Sequence, residues 1–572
     1  MKKSLENILK KPDGTHVHGY VPELANKYAK GEVGRRDFLR TATLLGVSAA
    51  AAYSFVGRVE GPGAVGTAQA ATPKRGGTLR WAMEVQEMTD PATFDWVQKG
   101  NQARHIVEYL TRTRTDNVTV PYLAESWEAS DDLKTWTLKL RKGVTWSNGD
   151  DFNADDVVFN FKRWLDPKVG SSNIGLFSGL TEKVTVKNDK GEDVEQSRMR
   201  EGAVEKVDSH TVRLHLATAT LAVPENLYNY PTAIVHRRFE EEGGDLSKNP
   251  VGTGPYTLER FAIGNELLLK RREDYWGEAP YLDAIHYIDT GADRSAMVAA
   301  IASGQVDGIH ELGVNSTEVI EQMPDIKIHS VTTGNTPVLR MRVKEPPFDN
   351  PKVRAAIVAA SDNQKLLNLG YRGNGLEAEN HHVGPMHPEY AELPPLKRDI
   401  EKAKQLLKEA GHPDGIDISI DVGDTDGPWH TDVAQALKEQ LAPAGIRLAI
   451  NKMPAAQYWD VWTSTPFGLT AWVHRPLGVM ILNLGYSSGQ PWNETGYSNP
   501  EFDKALDEAN AILDPNERRK KMKEVEAILQ GDNVIIQPFW RNQFTAARSN
   551  VKGYEVHPTL YHQFEKVWLD NA

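Results

Sequence analysis

Few residues of this chain have the type and spacing that catalysis needs. There is no cysteine among the 572 residues, so the chain offers neither a thiol nucleophile nor a thiolate metal site. The His-Glu-x-x-His pattern of zinc hydrolases is also missing. A catalytic triad spread along the chain leaves no local signature, so an exported hydrolase stays open as the alternative to a protein without catalytic activity.

Histidines are the remaining candidates for a metal site. His381 and His382 are adjacent, and His387 follows closely. Neighbouring residues of a strand point to opposite sides, so the pair does not preorganise a chelate. We therefore predict solvent-exposed loop histidines, no bound metal and no cofactor.

The stretch Asn249–Tyr256 has the glycine content of a phosphate-binding loop but not its chemistry. Such a loop needs consecutive backbone N–H donors and usually a lysine. Pro255 removes one donor, and no Gly-Lys-Ser/Thr follows. We interpret the stretch as a rigid turn between domains, in which Gly252 and Gly254 supply unusual backbone angles and the prolines fix φ around them.

Length, composition and charge indicate an acidic protein of several domains. A chain of 572 residues is too long for one compact core, so two or three domains are expected. The composition is that of a globular protein, with 40% hydrophobic and 25% charged residues. The net charge of -12 argues against nucleic acid as a partner, because phosphate binding needs a basic face.

The N-terminal segment has the pattern of an export leader. Two arginines at 35–36 precede Phe-Leu and an uncharged run over 41–57, and the Ala-Gln-Ala at 68–70 matches a small-residue cleavage site. This pattern is typical of a twin-arginine signal, although Gly34 stands where Ser or Thr is usual. A membrane anchor is the alternative, but the short run of small residues favours export to the periplasm and cleavage after Ala70. Without cysteine, no lipid anchor is expected.

Hydrophobic periodicity predicts mixed α/β structure after the leader. Alternation over Thr135–Arg141 predicts a strand, and 207–216 and 534–539 each have the pattern of a single strand. Asn153 is a predicted helix N-cap whose capping box is completed by Asp156, so the acidic residues there are capping charges and not an acid–base pair. Helices and strands alternate from residue 399 onward, which favours an α/β lobe with a mixed sheet.

Local patterns predict three further features. The polar stretch 183–200 predicts a surface hairpin or insertion. Asn350, which precedes Pro351, and Asp399 are predicted N-caps of two further helices.

Several separated blocks resemble one known family. They read Arg-Lys-Gly-Val-x-Trp from Arg141, Asn-Pro-Val-Gly-Thr-Gly-Pro-Tyr from Asn249, Tyr-Trp-Gly-x-x-Pro-Tyr-Leu-Asp from Tyr275, and Pro-Pro-Phe-Asp-Asn-Pro-Lys-Val-Arg from Pro346. In this order and spacing the chain resembles the extracytoplasmic solute-binding proteins of ABC importers, family 5, of the oligopeptide-, dipeptide- and nickel-binding type. The resemblance covers most of the chain that follows the leader.

The resemblance implies an α/β, two-lobed periplasmic binding protein fold of the large, class II-like type. The first lobe would carry an extra β-rich subdomain, and the lobes would close around a ligand about a hinge. On this basis we expect a leader with the twin-arginine signal over 1–70, a lobe 1 core over 71–115, 205–332 and 541–572, the extra subdomain over 116–204, and lobe 2 over 333–540.

The resemblance also implies a function. We expect a periplasmic substrate-binding component of an ABC importer, not an enzyme, that captures a peptide or peptide-like solute. It would work as a monomer and deliver the solute to a permease and ATPase complex in the inner membrane. The alternatives are the exported hydrolase and a binding protein for a metal chelate or an opine- or sugar-type solute.

The ligand-binding prediction rests on a departure from the family pattern. In peptide-binding relatives, an Asp in a Trp-x-x-Asp motif pairs with the α-amino group of the ligand. Here the tryptophan is kept as Trp472, but the position of the Asp holds Arg475. An arginine repels an ammonium and pairs instead with a carboxylate or phosphate. We therefore expect a ligand with an anionic group at this place, with His474 as a further donor; the alternative is that Arg475 pairs with a local carboxylate.

Other candidates are weaker. Arg340 and Arg342 could contact the same anionic group, and Arg342 stands where the family usually has Asn. A binding site also needs apolar walls, for which Trp472, Tyr486, Trp492 and Trp540 are the predicted aromatic residues. For each of these four residues, the alternative is that it belongs to the hydrophobic core and does not contact a ligand.

Overall fold

The computed structural model describes residues 7–11, 13–60, 72–171, 173–187, 191, 193–291 and 293–570. Within these ranges, no helix combines the length and the hydrophobicity that crossing a membrane requires. The predicted cleavage site at 68–70 lies outside the described residues.

Helices and strands alternate along the chain. The α-helices are α1 (Val21–Ala29), α2 (Arg35–Leu44), α3 (Ala49–Glu60), α4 (Val97–Ala103), α5 (Ala154–Trp164), α6 (Asn173–Leu176), α7 (Val223–Asn226), α8 (Arg294–Ala302), α9 (Thr317–Glu321), α10 (Pro351–Ala360), α11 (Asn363–Gly370), α12 (Ile400–Glu409), α13 (Trp429–Leu441), α14 (Ala455–Val461), α15 (Gly478–Gly485), α16 (Pro500–Asn510) and α17 (Pro515–Asp532). The strands are β1 (Thr78–Ala82), β2 (Thr111–Thr113), β3 (Thr119–Pro121), β4 (Ala124–Ala129), β5 (Thr135–Leu140), β6 (Thr181–Lys187), β7 (Asp193–Met199), β8 (Val204–Asp208), β9 (Thr211–His215), β10 (Tyr256–Ala262), β11 (Glu266–Arg271), β12 (Ala284–Ile288), β13 (Gly308–Ile309), β14 (Ile326–Thr332), β15 (Thr336–Met341), β16 (Gly375–Glu377), β17 (Ile416–Val422), β18 (Ile446–Lys452), β19 (Phe467–Trp472), β20 (Ile535–Ile536), β21 (Phe539–Arg548), β22 (Val551–Lys552) and β23 (Trp568–Leu569).

Lobe 1 is built on a mixed sheet with the strand order β10-β11-β12-β1-β13-β21-β14, and β16 pairs with β21. β1 runs parallel to β12 and β13, whereas β21 runs antiparallel to β13 and β14. The side chains of Leu79, Trp81 and Tyr287 are fully buried around this sheet. The chain that leaves the carboxyl end of β1 carries Glu84 and Gln86 into the cleft between the lobes.

Lobe 2 is built on a second mixed sheet, with the order β18-β17-β19-β15-β20. β17 runs parallel to β18 and β19, and β15 runs antiparallel to β19. Every residue of β15 and β19 is buried, because both faces of these strands are covered. Even Arg340, in the middle of β15, is fully buried.

Two chain crossings lie side by side where the lobes meet. Residues 333–335 lead from β14 to β15, and 537–538 lead from β20 to β21. The backbone N–H of Arg541 donates to the carbonyl of Asn335 at 2.8 Å, and the N–H of Thr333 donates to the carbonyl of Arg541 at 3.1 Å. These hydrogen bonds hold the two crossings together where the chain passes between the sheets of the two lobes.

The extra subdomain of lobe 1 is β-rich, with a sheet of order β4-β5-β9-β8. The polar stretch 183–200 contributes the predicted hairpin, as β6 and β7. The single strand predicted over 207–216 is wrong, because the chain turns at Ser209–His210 between β8 and β9. β9 pairs with β5, so the subdomain sheet extends past the expected boundary at 204. The strand predicted over 534–539 is likewise interrupted, at Pro538, which has no N–H to donate.

The helix starts predicted from local patterns are confirmed. Asn153 and Asp156 form the expected capping box at the start of α5. Asn350 and Asp399 each accept a backbone N–H bond from the first turn of their helices. These caps satisfy N–H groups that have no partner within the helix.

The glycines of the Asn249–Tyr256 stretch allow another backbone segment to approach closely. They do not supply unusual backbone angles. Neither Gly252 nor Gly254 has a positive φ, so the prediction of unusual angles is wrong. A Cβ on Gly252 would lie 1.9 Å from the carbonyl oxygen of Ile106, and one on Gly254 would lie 2.4 Å from that of His105. The absence of a side chain lets two backbone segments of lobe 1 touch.

Residues 13–60 pack against both the extra subdomain and lobe 2. On the subdomain side, the indole N–H of Trp127 donates to the carbonyl of Leu44 at 2.8 Å. On the lobe 2 side, the hydroxyl of Tyr20 donates to Asp514 at 2.7 Å, and Lys27 pairs with the same carboxylate at 2.5 Å. The expected leader therefore has its own binding surface on the folded body, and cleavage after Ala70 stays a prediction.

Asp514 both caps α17 and binds α1. Burial alone would raise its pKa, but the ammonium of Lys27, the backbone N–H of Glu517 and the hydroxyl of Tyr20 outweigh that effect and lower the pKa to about 2. A carboxylate whose pKa falls on folding stabilises the fold above its unfolded pKa of about 4. This contribution is lost as the pH falls from about 4 towards 2.

We predict that Asp514→Asn loosens α1 without unfolding α17, because Asn keeps the N-cap acceptor but removes the charge that faces Lys27. Hydrogen–deuterium exchange of the amides of Val21–Ala29 should become about fivefold faster, the equivalent of about 1 kcal/mol. Asp399→Asn, the same substitution at the N-cap of α12, should leave the exchange of α1 unchanged. Unaltered exchange in both variants would show that the Asp514 charge does not hold α1.

Candidate ligand-binding site

A cavity of about 650 Å³ opens between the two lobes, within the size range of small-molecule sites. Lobe 1 contributes the chain after β1, part of α4 and the side chain of Tyr230. Lobe 2 contributes the loops after β17 and β19, part of α14 and the side chain of Trp492. The cavity therefore has walls from both lobes, so its shape depends on how the lobes are closed.

Tryptophans form a connected wall of this cavity. The ring centres of Trp96 and Trp459 lie 5.7 Å apart across the two lobes. Trp459 lies 5.7 Å from Trp462, and Trp492 lies 6.0 Å from both Trp462 and Trp472. Successive ring planes are turned by 55° to 80°. The Trp96–Trp459 pair is tilted and the other three pairs meet edge to face, a favourable arrangement for aromatic pairs, so the rings enclose apolar space from several directions.

A buried ion pair holds the base of the tryptophan wall. The guanidinium of Arg340 pairs with the carboxylate of Glu494 and also donates to the carbonyl of Trp462. Glu494 accepts further hydrogen bonds from the indole N–H of Trp472 and from the hydroxyl of Thr470. Burial raises the pKa of Glu494, against the opposing effects of Arg340 and these donors. The ion pair thus holds Trp462 by its backbone carbonyl and Trp472 by its indole N–H.

Arg475 reaches the cavity from the loop after β19, and the residue is only 2% exposed. Its guanidinium lies 5.5 Å from the ring centre of Tyr230 and donates to the carbonyl of His474 at 3.2 Å. Among the described residues, no carboxylate oxygen lies within 4 Å of it, and its Nε has no hydrogen-bond partner. In the described part of the chain, Arg475 therefore has no local carboxylate partner, which was the alternative to a ligand contact.

His474 fixes the loop and does not line the cavity. Its Nδ1 accepts the N–H of Gly334 at 2.9 Å, so the ring proton is on Nε2, which donates to Asn117 at 3.1 Å. Burial lowers the pKa of His474 well below its usual value. His387 donates to the carbonyl of Arg475 at 3.1 Å. The backbone at Arg475 is thus held by neutral rings, and its guanidinium lies against the ring of Tyr230, which also lines the cavity.

The sequence candidates divide into two groups by position. Trp472, Arg475 and Trp492 line the cavity, whereas Arg342, His474, Tyr486 and Trp540 do not. Arg342 donates to the carbonyl of Thr463. The hydroxyl of Tyr486 lies 2.7 Å from Nδ1 of His382, and the ring of Trp540 packs 6.0 Å from that of His382. These contacts place Tyr486 and Trp540 in the core of the protein.

The prediction of solvent-exposed loop histidines is wrong. His381 and His382 are fully buried, and His387 is nearly so. His381 lies 3.0 Å from a carboxylate oxygen of Glu379. In the described ranges, no three His, Cys, Asp or Glu side chains are grouped in a way that could hold a metal ion.

One sequence run has the letters of a hydrolase motif. Residues 485–489 read Gly-Tyr-Ser-Ser-Gly, the letters of the nucleophile elbow, in which the serine stands on a sharp turn from a strand to a helix. Here Gly485 is the last residue of α15, and the N–H of Ser487 donates to the carbonyl of Leu482 at 3.0 Å. The run ends a helix and follows no strand, so it is not an elbow.

Three tryptophans of the wall were not among the predicted site residues: Trp96, Trp459 and Trp462. The last two are three residues apart on and just after the short helix α14, so the spacing puts them on one face. That Trp-x-x-Trp pattern is a signal that could have identified them. Trp96 comes from the other lobe, and no local pattern connects it to the rest of the wall.

Ion pairs join the lobes beside the cavity. Arg294 of lobe 1 lies 3.1 Å from Glu311 and 3.8 Å from Asp426 of lobe 2. Arg541, beside the two crossings, pairs with Asp426 at 2.6 Å and lies 3.6 Å from Glu311. These charges neutralise one another in the closed arrangement of the lobes.

Comparison with known proteins fits this geometry. The model of the bacterial extracellular solute-binding proteins, family 5 (middle), matches residues 118–477, more than half of the chain. The chain belongs to this family. The solute-binding proteins of family 5 are the substrate-binding components of ABC importers, and this chain has the corresponding function. The match extends over Trp472 and Arg475.

Relatives with similar sequences support the assignment. Heme-binding protein A of Haemophilus influenzae is 28% identical over 483 residues, which are 79% of this chain and 84% of that protein. The glutathione-binding protein GsiB of Salmonella choleraesuis is 27% identical over 463 residues, which are 77% of this chain and 85% of that protein.

Solved structures show the same fold. OppA of Haemophilus influenzae, in complex with the peptide RPPGFSPFR, has a TM-score of 0.76 at 22% identity, covering 87% of this chain and 100% of that one. AgaA of A. tumefaciens, in complex with agropinic acid, has a TM-score of 0.75 at 23% identity, covering 87% and 99%. The expected two-lobed periplasmic binding protein fold is confirmed.

We predict that Glu494→Gln destabilises lobe 2 by about 3–5 kcal/mol, because Arg340 would remain buried without a counter-charge. Urea unfolding of the full chain, followed by tryptophan fluorescence, should show a lower transition midpoint. The double variant Arg340→Met with Glu494→Gln should recover most of the loss, since it removes the unpaired charge. A single variant as stable as the parent would show that the ion pair is not needed to hold this wall.

Proposed function

We propose that this protein captures a solute that carries a carboxylate or phosphate and delivers it to the permease of an ABC importer. The observation that supports the anionic group is Arg475, a buried residue of the cavity lining whose guanidinium has no carboxylate within 4 Å among the described residues. A planar guanidinium binds such groups through two parallel N–H bonds. It would repel the ammonium of a peptide at the same place.

The rest of the cavity suits the body of a small organic ligand. The tryptophan wall supplies apolar surface, and a few polar side chains stand among it, which is the usual composition of a small-molecule site. Because the loop of Arg475 is already held by His387 and by contacts of His474, little ordering is needed on binding. Preorganisation of this kind improves affinity.

The ligands named for similar proteins are compatible with this proposal. They include glutathione, agropinic acid and a peptide, and each of these compounds has a carboxylate. Peptide-like acids are therefore the first ligands to test, followed by the opine- or sugar-type solutes and metal chelates of the alternative.

Export by the twin-arginine route belongs to the same proposal. The paired arginines at 35–36, the uncharged run after them and the Ala-Gln-Ala at 68–70 support export to the periplasm and cleavage after Ala70. We infer a monomer without a lipid anchor that docks on the permease and ATPase complex of the inner membrane. A binding protein returns its ligand unchanged, so recovery of an intact solute after unfolding distinguishes it from a hydrolase.

We predict that the protein purified from its own host shows an added mass in native mass spectrometry, and that this mass leaves intact on denaturation. Arg475→Ala should weaken binding of the identified solute by about 30- to 1000-fold, the equivalent of about 2–4 kcal/mol, because a buried charge-assisted pair is lost. Calorimetric titration measures the change.

The matched control is Arg342→Ala, the same substitution at a candidate that does not line the cavity, and it should bind as the parent does. A solute without an anionic group, or parental affinity in Arg475→Ala, would contradict the anionic site. Chemical conversion of the bound solute by the folded protein would contradict the binding function itself.

A further inference from the structure

The N-terminal segment, residues 13–60, has a small core of its own. The rings of Tyr28 and Phe38 stack with 4.6 Å between their centres, and Phe38 packs 5.2 Å from Phe55, so α1, α2 and α3 meet around these three rings. The hydroxyl of Tyr28 also donates to Glu60 at 2.5 Å, which joins α1 to the end of α3. Because a packed core resists deformation, the segment moves as one body.

One set of contacts joins this segment to lobe 1 and its extra subdomain. Besides the indole bond of Trp127 described above, the hydroxyl of Tyr53 accepts a bond from the guanidinium of Arg114 at 2.8 Å and donates to Asp116. Gly46 lies directly against Trp127, since a Cβ on it would be 2.3 Å from the carbonyl oxygen of that residue. Its φ of +92° also favours glycine, so the close contact depends on the residue type found in the segment.

A second set of contacts joins the segment to lobe 2. Asp37 of α2 pairs with Arg519 at 3.0 Å, and the carbonyl of Glu32 accepts a bond from the amide of Asn516 at 2.8 Å. Together with the contacts of α1 on Asp514 described above, these bonds attach the segment to the first turns of α17.

A third contact connects the segment to the backbone beside the ligand site. Arg40 of α2 is 3% exposed, and its guanidinium donates to the carbonyl of Met386 at 3.2 Å. The next residue, His387, donates to the carbonyl of Arg475 at 3.1 Å. Two hydrogen bonds on neighbouring residues therefore link the segment to the loop that carries the candidate anion-binding side chain.

The segment thus connects parts of the protein that belong to different lobes. Trp127 belongs to the extra subdomain of lobe 1, whereas Asp514 and Arg519 belong to lobe 2. A body that moves as one unit keeps both sets of contacts only in one relative position of the lobes. Contacts that exist in a single arrangement shift the equilibrium toward that arrangement.

We propose that residues 13–60 act as a brace that holds the two lobes in the arrangement of this structure. Because the cavity has walls from both lobes, the brace also slows the exchange of a solute for as long as the segment stays docked. Removal of the segment, as in the proposed cleavage after Ala70, converts the braced form into one that exchanges freely. The brace depends neither on the charge of the solute nor on the export route.

The test uses the full chain with a protease recognition sequence inserted between residues 61 and 71. Since the chain has no cysteine, Glu201→Cys and Glu439→Cys provide two unique sites for a donor and an acceptor dye. Glu201 lies between β7 and β8, Glu439 lies on α13 of lobe 2, and both are exposed. Single-molecule fluorescence transfer then reports the distance between the lobes before and after the cut, in samples that native mass spectrometry shows to be free of solute.

We expect one narrow distribution of transfer efficiency in the uncut protein. After the cut and removal of the segment by gel filtration, the distribution should broaden and show a second population, because the lobes are then free to change their relative position. Hydrogen–deuterium exchange of the amides of 474–478 should become about 2- to 10-fold faster, the effect of losing one hydrogen bond beside the backbone of Arg475. An unchanged distribution after removal of the segment would overturn the brace, whatever the exchange shows.

Two double variants of the uncut chain test the brace even if the segment stays bound after the cut. Asp514→Asn with Arg519→Ala removes two charges of α17 that pair with the segment, and it should give the broader distribution. Glu517→Gln with Lys520→Ala removes an exposed ion pair within the same helix and should match the parent. A narrow distribution in the first variant, with faster exchange of α1, would show that the docked segment does not set the position of the lobes. Because no solute is present, neither result bears on the proposed anionic site.

Discussion

A guanidinium buried without a protein carboxylate is the constraint on which the cleft depends. Removing an unpaired charge from water is costly, and Arg475 is 2% exposed with a free Nε. The surrounding structure fixes the loop through backbone hydrogen bonds from His387 and to His474, so the side chain is the part left to bind. Burying this guanidinium without a counter-charge does not stabilise the fold. Its presence is explained if a ligand supplies the anionic partner.

Closure brings the functional parts together through a small number of contacts between the lobes. The ring of Trp96 meets Trp459, and Tyr230 meets Arg475. Next to them, Asp426 reaches the charges of lobe 1. Apolar packing joins the lobes as well, since one buried cluster contains Phe177 and Leu180 of the extra subdomain together with Leu482 and Leu484 of lobe 2. A ligand that touches both walls of the cavity adds to the stability of this arrangement.

Local features of the fold could be predicted from the sequence, and non-local ones could not. The capping box of Asn153 and the N-cap of Asp399 depend on residues within one turn, so the pattern contains the whole interaction. Burial of His381 and His382 depends on lobe 2 elements distant in sequence, and the exposed histidines predicted there were wrong. The same holds for Gly252, whose role depends on the backbone of Ile106.

The site residues were also only partly predictable from the sequence. Arg475 and Trp472 were found because a family pattern marks their position, while Trp96 and Glu84 belong to the other lobe and were missed. An arginine in place of the aspartate that the resemblance implies would favour an anionic group at this end of a ligand. The opposite wall could be recognised only from the folded structure, in which the ring of Trp96 of lobe 1 meets that of Trp459 of lobe 2.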